Sequence, residues 1–314
     1  MKNYTIRRYA AGDYDSWNAF TANAKNATFL FHRDFMEYHA DRFEDCSLMV
    51  LDDSQLVSIL PANRSEDVLY SHQGLTYGGL VFNAALKGSQ VDGILDELMQ
   101  FLRRIGITKM IIKPIISIYN KQPSHELECF LLNKGATLYR RDLNLAIDYS
   151  RPFTISGSKL KHFRRVSKLG MEIREEQNFD LFWEKVLQPR LREKHDTQPV
   201  HTKTEMAFLC SKFPENIFQY NAYHEGEIVA GITLFNFGNG VKSQYGATTG
   251  KGETLRALDF LFITLIEECR NKYSFFDMGT VTENNDAGYN KGLLKQKEEL
   301  GCSIFNQDFY SLEL

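Results

Sequence analysis

Cysteine is scarce in this sequence, and its few cysteines are scattered. Among 314 residues there are five, far apart along the chain: Cys46, Cys129, Cys210, Cys269 and Cys302. An odd number, without a Cys-x-x-Cys pair or a Cys/His ligand spacing, gives no disulfide framework and no zinc motif. We therefore expect reduced, mostly packed thiols of the kind found in the cytosol, and no metal site.

Long apolar runs and an excess of one charge are also missing. The longest mostly apolar run, residues 255–266, contains Arg256 and Asp259 and is too short to cross a bilayer. The opening stretch MKNYTIRRYAAGDYD has no apolar core of a signal peptide. The net charge of −3 argues against a broad nucleic-acid or membrane surface but is compatible with a local basic patch. The expectation is a cytoplasmic protein without a membrane span.

The stretch SQYGATTGKGETLRALDFLF, residues 243–262, has glycines but lacks a Walker A pattern. Three residues separate Gly246 from Gly250 where four are needed, and Gly252 replaces the hydroxyl residue that binds Mg²⁺. A nucleotide-hydrolysing loop is therefore disfavoured. A strand, a glycine-rich loop and a helix capped by Thr254 can still present N–H groups to a phosphate, such as that of acyl-CoA, or can simply form a turn.

The sequence contains two halves with the same order of predicted elements: a hairpin, a further strand, a loop, a helix and another strand. The helix of the first half is predicted in VDGILDELMQFLRRIG, with Asp92 as its N-cap and Gly106 just past its end. A composition shift places a domain boundary near residue 150, giving domains 1–150 and 151–314. The predicted fold class is α/β (α+β), with two units that arose by tandem duplication or are two ordinary α+β domains.

A basic helix is predicted at the start of the second half, in SGSKLKHFRRVSKLG. Ser156 or Ser158 can cap it, and Gly170 can end it. Four cations at i, i+3, i+4 and i+7 share one face of this helix: Lys161, Arg164, Arg165 and Lys168. No acidic residue lies between residues 151 and 171. This face either binds a phosphate group or is a solvated surface.

Four stretches of the second half resemble the Fem peptidoglycan aminoacyltransferases and their bacterial relatives, whose two domains both have the GNAT (Gcn5-related N-acetyltransferase) fold. The stretches are SKLKHFRRVSKLGMEI, GEIVAGITLFNFGNGVKSQYGATT, TLRALDFLFITLIEECRNKYSFFDMGT and GYNKGLLKQKEELGCSI. In the first half, SHQGLTYGGLVF is similar to the loop that lines the acceptor pocket in such proteins. The resemblance implies two tandem GNAT-like domains, the first on the acceptor side, and acyl transfer to an amine.

The resemblance also implies roles for three candidate catalytic residues. Lys297 matches the family lysine before the final strand and would hold a phosphate or stabilise the oxyanion; as an alternative it is a surface lysine. Asp277, in FFDMG, would accept the proton of the amine, or cap a turn. Tyr245 would hydrogen-bond the acyl carbonyl or protonate a leaving thiolate, with packing as the alternative. Gln296 departs from the aromatic residue that often precedes the family lysine, which weakens the case for a peptidoglycan substrate.

The remaining candidates would bind the donor or the acceptor. Donor binding is expected at the strand end and the helix start: Gly246, Ala247 and Thr254. Substrate binding is expected at the basic helix and the first-half loop: Lys161, Arg164, Arg165, His72 and Tyr77. His72 titrates near neutrality and would act as a base, or be structural.

Two donors compete. Ordinary GNAT enzymes use an acyl-CoA, and the Fem proteins use an aminoacyl-tRNA. The slightly negative net charge and the absence of a coiled-coil arm favour acyl-CoA, and tRNA stays as the alternative. The acceptor is expected to be the amine of a small phosphorylated, nucleotide-linked or cell-envelope precursor, acylated by direct transfer. A non-catalytic module that only binds a phosphorylated ligand is the rival hypothesis.

Overall fold

The computed structural model describes residues 4–314, apart from the side chain of His195. The chain divides into two compact units. The first unit ends at Asp142 and also includes Asn306–Leu314, and the second is Leu143–Phe305. The last strand therefore ends in the first unit, although it follows the second unit in sequence.

The first unit combines an antiparallel sheet, a parallel strand pair and a long helix. Its α-helices are α1 (Tyr14–Asn23), α2 (Arg33–Glu37), α3 (Gly88–Arg104) and α4 (Glu126–Asn133). Its strands are β1 (Tyr4–Arg8), β2 (Glu44–Asp45), β3 (Leu48–Asp52), β4 (Gln55–Leu60), β5 (Asn63–Ser65), β6 (Val68–Tyr70), β7 (Val81–Phe82), β8 (Lys109–Ile112) and the start of β9 (Thr137–Asp148). Strands β1, β3, β4 and β7 form an antiparallel sheet, and β6 pairs in parallel with β8.

Helix α3 buries one apolar stripe in the core of the first unit. Its spacing places Ile94, Leu98 and Leu102 on the same face, and all three are buried. The helix starts at Gly88, because the Gln90 side chain accepts the Lys87 N–H at 3.0 Å and closes the first turn. The predicted N-cap at Asp92 is therefore wrong.

The second unit repeats this order of antiparallel strands, long helix and parallel strand. Its α-helices are α5 (Gly157–Val166), α6 (Asp180–Phe182), α7 (Gln188–His195), α8 (Lys203–Lys212), α9 (Gly250–Leu255), α10 (Ala257–Cys269) and α11 (Lys291–Glu299). A π-helical turn, Trp183–Leu187, joins α6 to α7. Its strands are β10 (Glu172–Glu176), β11 (Ile217–His224), β12 (Glu227–Asn236), β13 (Gly240–Thr248), β14 (Phe275–Thr280) and the start of β15 (Ser303–Glu313).

Strands β13 and β14 pair only at their beginnings. Three parallel pairs join them, from Gly240 with Phe275 to Lys242 with Asp277. Strand β13 continues to Thr248 on the edge of the antiparallel ribbon β10–β13, while β14 pairs on its other side with β9. The two strands therefore separate after Lys242, and α10 covers one face of the sheet with a row of buried leucines and isoleucines.

The glycine-rich stretch forms a short helix, α9, which is separate from the long helix α10. Thr249 caps α9, its side chain accepting the Gly252 N–H at 3.1 Å. A Cβ on Gly252 would lie 2.0 Å from the Val229 carbonyl oxygen, so glycine is what allows α9 to lie against β12. Thr254 lies inside α9, and its predicted role as N-cap is wrong.

Two further predictions concern helix caps and membrane spans. The Ser156 side chain accepts the Lys159 N–H at 3.3 Å, which confirms Ser156 as the cap of α5. Among residues 4–314, none of the helices has the length and apolar character needed to cross a bilayer.

Candidate functional site

A cavity of about 510 Å³ opens in the second unit beside the carboxyl end of β13. Gly246, Ala247 and Thr248 form one side of it, and α5, α7, α9, α10 and α11 contribute the rest. The sequence predicted donor binding at Gly246 and Ala247, and both line the cavity. Thr254, the third predicted donor residue, is exposed on α9, where its hydroxyl donates to the Gly250 carbonyl at 3.2 Å.

Charged side chains dominate the cavity wall. Its cations are Lys159, Arg190, Lys194, Arg256 and Lys295, and its carboxylates are Glu253, Asp259 and Glu299. Five cations and three carboxylates leave an excess of positive charge at neutral pH. The cavity is therefore suited electrostatically to an anionic ligand.

The carboxylate of Glu253 is shared by two cations of α7. Arg190 donates to it, and the Lys194 ammonium lies 3.5 Å from it. The Arg190 guanidinium holds the pKa of Glu253 below its usual value. Within the cavity lining this side has two cations and one carboxylate, although Arg190 also lies 3.4 Å from Glu193 outside the lining.

The other carboxylates are shared in the same way. The buried Lys159 and Asp259 form an ion pair of 2.6 Å, and Arg256 lies 3.9 Å from the same carboxylate. Glu299 lies 4.0 Å from both Lys159 and Lys295. The sequence analysis gave none of these acids a role in the site, and α9, α10 and α11 bring them to one place.

Asp277 and Lys297, the two principal catalytic candidates, lie together below the surface. The Asp277 carboxylate is 1% exposed and accepts the Gly279 N–H at 2.6 Å and the Asn144 amide at 2.9 Å. The Lys297 ammonium donates to the carbonyls of Gly279 and Thr280, each at 3.0 Å. Burial lowers the pKa of Lys297 to about 8, although the charge of Asp277 opposes this. Lys297 thus holds the end of β14, whereas its neighbours on α11 line the cavity.

A third residue of this cluster, Lys242, was missed by the sequence analysis. Lys242 is the parallel partner of Asp277 in the last pair before β13 and β14 separate. Burial lowers the pKa of Lys242, and the charge of Asp277 opposes this. The signal was a lysine inside the strand GVKSQYGA.

Tyr245 is tied to a histidine on the loop before α8. Its hydroxyl accepts the backbone N–H of His201 at 3.1 Å and lies 2.6 Å from the Nδ1 atom of His201. Its ring meets the edge of Trp183 in the π-helical turn, with ring centroids 5.1 Å apart. When Nδ1 is unprotonated the hydroxyl donates to it, so Tyr245 and His201 act as one hydrogen-bonded pair.

The predicted cationic face is exposed, but only three of its four cations lie on α5. Lys168 lies in the turn that follows the end of α5 at Val166. We call Lys161, Arg164, Arg165 and Lys168 together the α5 basic face. All four side chains are exposed, and within residues 4–314 none of them makes a side-chain hydrogen bond or an ion pair. They lie outside the lining of the cavity, which α5 reaches through Lys159 instead.

The sequence matches no family model and no curated protein. Solved structures with the same fold exist. FemX, whose crystal structure is known, is 10% identical in sequence to this chain. The two structures match with a TM-score of 0.70 over 99% of this chain and 97% of FemX. The structure of L-PGS from Bacillus licheniformis is 14% identical, with a TM-score of 0.59 over 96% of this chain and 91% of the other.

A third solved structure has two tandem GNAT units that correspond to the two halves of this chain. A tandem GNAT protein from the clavulanic acid biosynthesis pathway is 10% identical, with a TM-score of 0.54 over 99% of this chain and 98% of the other. The fold is the Fem-like tandem GNAT fold. The predicted α/β class with two tandem GNAT-like units, each a mixed sheet flanked by helices, is therefore confirmed.

The first GNAT-like unit contains the other two predicted substrate residues. Tyr77 is fully buried, and its hydroxyl lies 2.9 Å from the Thr28 hydroxyl, so it belongs to the core. His72 is 6% exposed and lines two cavities of this unit, of about 750 and 290 Å³. Among the described residues the sealed Nδ1 atom of His72 has no hydrogen-bond partner. Burial lowers the pKa of His72 to about 4, so the ring is neutral and weakly basic at neutral pH.

Proposed function

We propose that the protein is an N-acyltransferase of the tandem GNAT type. It transfers an acyl group, acetyl or aminoacyl, from a phosphate-bearing donor to the amino group of a small phosphorylated or cell-envelope precursor. The observation that carries this proposal is the cation-rich cavity beside the end of β13. The acyltransferase class is supported by the fold shared with FemX and with a tandem GNAT protein whose structure is described without AcCoA.

The donor would place its phosphates in the cavity and its acyl group along the opening between β13 and β14. Arginine and lysine bind phosphate oxygens through charge-assisted hydrogen bonds. Gly246 is exposed at the cavity wall and has no side chain to keep a donor from the backbone. The acceptor amine must lose a proton and attack the acyl carbon, which requires proton transfer and stabilisation of an oxyanion but no covalent enzyme intermediate.

An acyl-CoA is the proposed donor, and an aminoacyl-tRNA is the second candidate. The cavity in the second unit can hold the diphosphate of CoA. The α5 basic face favours the second candidate, because four exposed and unpaired cations outside the cavity suit an extended polyanion.

Separate neutralisation of the cavity and of the α5 basic face tests the donor. For acyl-CoA, the Arg190→Gln/Lys194→Gln variant should bind acetyl-CoA at least about tenfold more weakly, since charged hydrogen bonds contribute about 1.5–3 kcal/mol each. Replacing the α5 basic face by four glutamines should leave that affinity unchanged. Isothermal titration calorimetry at fixed salt measures both, and the exposed Lys272→Gln serves as the matched control.

The opposite pattern identifies the second candidate. Loss of aminoacyl-tRNA binding in the α5 variant, with no acetyl-CoA binding by the wild type, would replace acyl-CoA by tRNA. Binding of acetyl-CoA without thiol release across a panel of amines would favour the non-catalytic module. Binding of neither donor would refute the proposed function.

Substitution of Arg256 tests whether the cavity binds the donor through positive charge. The effect of the charge is read from donor affinity, and the effect of backbone strain is read from the free energy of unfolding. Its φ of 63° is left-handed, which costs a non-glycine residue about 1 kcal/mol. Arg256→Gly should therefore change the free energy of unfolding by less than about 1 kcal/mol, because relief of strain offsets the greater freedom of unfolded glycine. Its acetyl-CoA affinity should fall several-fold, because a cavity cation is lost.

Arg256→Lys keeps the charge and should retain most of the affinity. Urea unfolding and calorimetry give the two quantities. Wild-type affinity in Arg256→Gly would show that this cation does not contact the donor.

A further inference from the structure

The cluster of Lys242, Asp277 and Lys297 contains two lysines and one carboxylate. Strand pairing sets Lys242 and Asp277 side by side, and paired residues of neighbouring strands point to the same face of the sheet. Lys242 lowers the pKa of Lys297, and Asp277 raises the pKa of both lysines. The charge of Asp277 on β14 therefore acts on Lys242, and the charge of Lys242 acts on Lys297 of α11.

The two lysines differ in what holds their charge. Lys297 donates to two carbonyl oxygens, and such bonds favour the charged ammonium. The side chain of Lys242 makes no hydrogen bond and no ion pair within the part of the chain that the structure describes. Its Nζ atom is not one of the fully buried polar atoms that lack a hydrogen-bond partner. The Nζ atom therefore keeps contact with solvent. Of the two, Lys242 is the one whose ammonium is not held by carbonyl oxygens and is available to an incoming group.

The position of Lys242 along the strand suits a reacting group. Three residues of β13 lie between it and Gly246 at the cavity wall, so the two are about 13 Å apart at the usual rise of an extended strand. The pantetheine arm of CoA spans a distance of this order between its diphosphate and its thioester. A donor with its phosphates in the cavity would therefore bring its acyl carbon towards Lys242.

We propose that the Nζ atom of Lys242 is the proton acceptor for the attacking amine, with Asp277 as the residue that positions and balances its charge. This inference rests on the proposed N-acyl transfer and adds a catalytic residue to it. The acceptor nitrogen attacks the acyl carbon, the C–N bond forms, and the carbon–sulfur bond breaks with its electron pair going to sulfur. The proton from the acceptor nitrogen passes to Lys242 and then to the sulfur, so Lys242 returns to its neutral form.

Competitive labelling with acetic anhydride tests the first requirement without any turnover. In the full-length protein, peptide mass spectrometry would follow the acetylation of Lys242 and of the exposed Lys272 across a pH series. Lys242 should become reactive at lower pH than Lys272, because burial lowers the pKa of Lys242. Asp277→Asn should move the Lys242 curve to still lower pH, since an opposing negative charge is removed. A Lys242 that titrates like Lys272, or that is insensitive to Asp277→Asn, would overturn the inference.

Asp277→Asn is a suitable variant because it removes the charge and keeps an acceptor oxygen. The hydrogen bonds from Gly279 and Asn144 both end on Oδ1, which an asparagine retains. Acetyl-CoA should protect Lys242 from acetic anhydride and leave Lys272 unprotected. Unprotected Lys242 in protein saturated with acetyl-CoA would place it away from the reacting atoms and overturn the inference.

Kinetics separate this inference from the proposed function. In an acetyl-CoA thiol-release assay, Lys242→Met should lower kcat at least about 100-fold with little change in the KM for acetyl-CoA. Lys242→Ala should regain part of the rate when ethylamine is added, and Lys272→Met should match the wild type. A wild type that turns over while Lys242→Met keeps its full rate defeats only the role of Lys242. A wild type that never releases thiol defeats the proposed function as well.

Discussion

Lys159→Met should lower the free energy of unfolding by about 3–5 kcal/mol, the cost of breaking a buried ion pair from one side. The Lys159 ammonium lies 2.6 Å from the Asp259 carboxylate, and both residues are 7% exposed. Removal of the ammonium leaves a buried carboxylate whose remaining cation, Arg256, is 3.9 Å away and exposed. Urea unfolding monitored by circular dichroism measures the change.

The double variant Lys159→Met/Asp259→Leu distinguishes an unpaired charge from lost packing. Replacing a whole buried pair by apolar side chains is often neutral, so the double variant should unfold within about 1–2 kcal/mol of the wild type. Lys251→Met is the matched control, because Lys251 pairs with Glu225 and Glu227 on the surface and should cost less than about 1 kcal/mol. If Lys159→Met cost no more than Lys251→Met, Asp259 would not depend on its partner.

This pair also connects stability with the proposed site. Lys159 and Asp259 carry opposite charges, so the double variant leaves the net charge of the cavity unchanged. Its affinity for acetyl-CoA should therefore fall less than that of the Arg190→Gln/Lys194→Gln variant. The buried pair would then organise the wall between α5 and α10, while the cations of α7 hold the ligand.

Features that depend on neighbours in the chain were predicted more successfully than features that depend on residues far apart in the sequence. The apolar spacing of α3 and the cap at Ser156 depend on neighbours in the chain, and both are found in the structure. The start of α9 was missed because it depends on how closely Gly252 approaches the Val229 carbonyl on another strand. No local pattern contains that distance.

In the candidate site, too, residues that a local motif marks were found from the sequence, and residues that join the site through long-range contacts were missed. The resemblance singled out Asp277 and Lys297, and the structure brings both to one buried cluster. Lys242 joins them only through the register of β13 with β14, which the sequence does not specify. The sharing of Glu253 by Arg190 and Lys194 likewise arises from the packing of α9 against α7. Strand register and helix packing, rather than composition, therefore determine the electrostatics of the site.

Between pH 6.5 and pH 4, His72 should lower the free energy of unfolding by about 3 kcal/mol. The reason is that its pKa is lower in the folded protein than in the unfolded chain. Burial and the neighbouring His39 lower the pKa of His72 from 6.5 to about 4 in the folded state. Below pH 6.5 the imidazole of the unfolded chain takes up a proton, whereas the folded imidazole stays neutral until about pH 4. The contribution of His72 to the free energy of unfolding is therefore present above pH 6.5 and is lost as the pH falls to 4.

His72→Asn isolates this contribution from the many carboxylates that titrate in the same range. Asparagine tolerates the left-handed φ of 68° found at this position and carries no charge at any pH. The difference in unfolding free energy between wild type and His72→Asn should therefore shrink by about 3 kcal/mol from pH 6.5 to pH 4 in urea titrations. If the unfolding free energy of His72→Asn ran parallel to that of the wild type from pH 6.5 to pH 4, the imidazole would be accepting a proton in the folded state. A base role for His72 near neutral pH would then regain the support that burial removes.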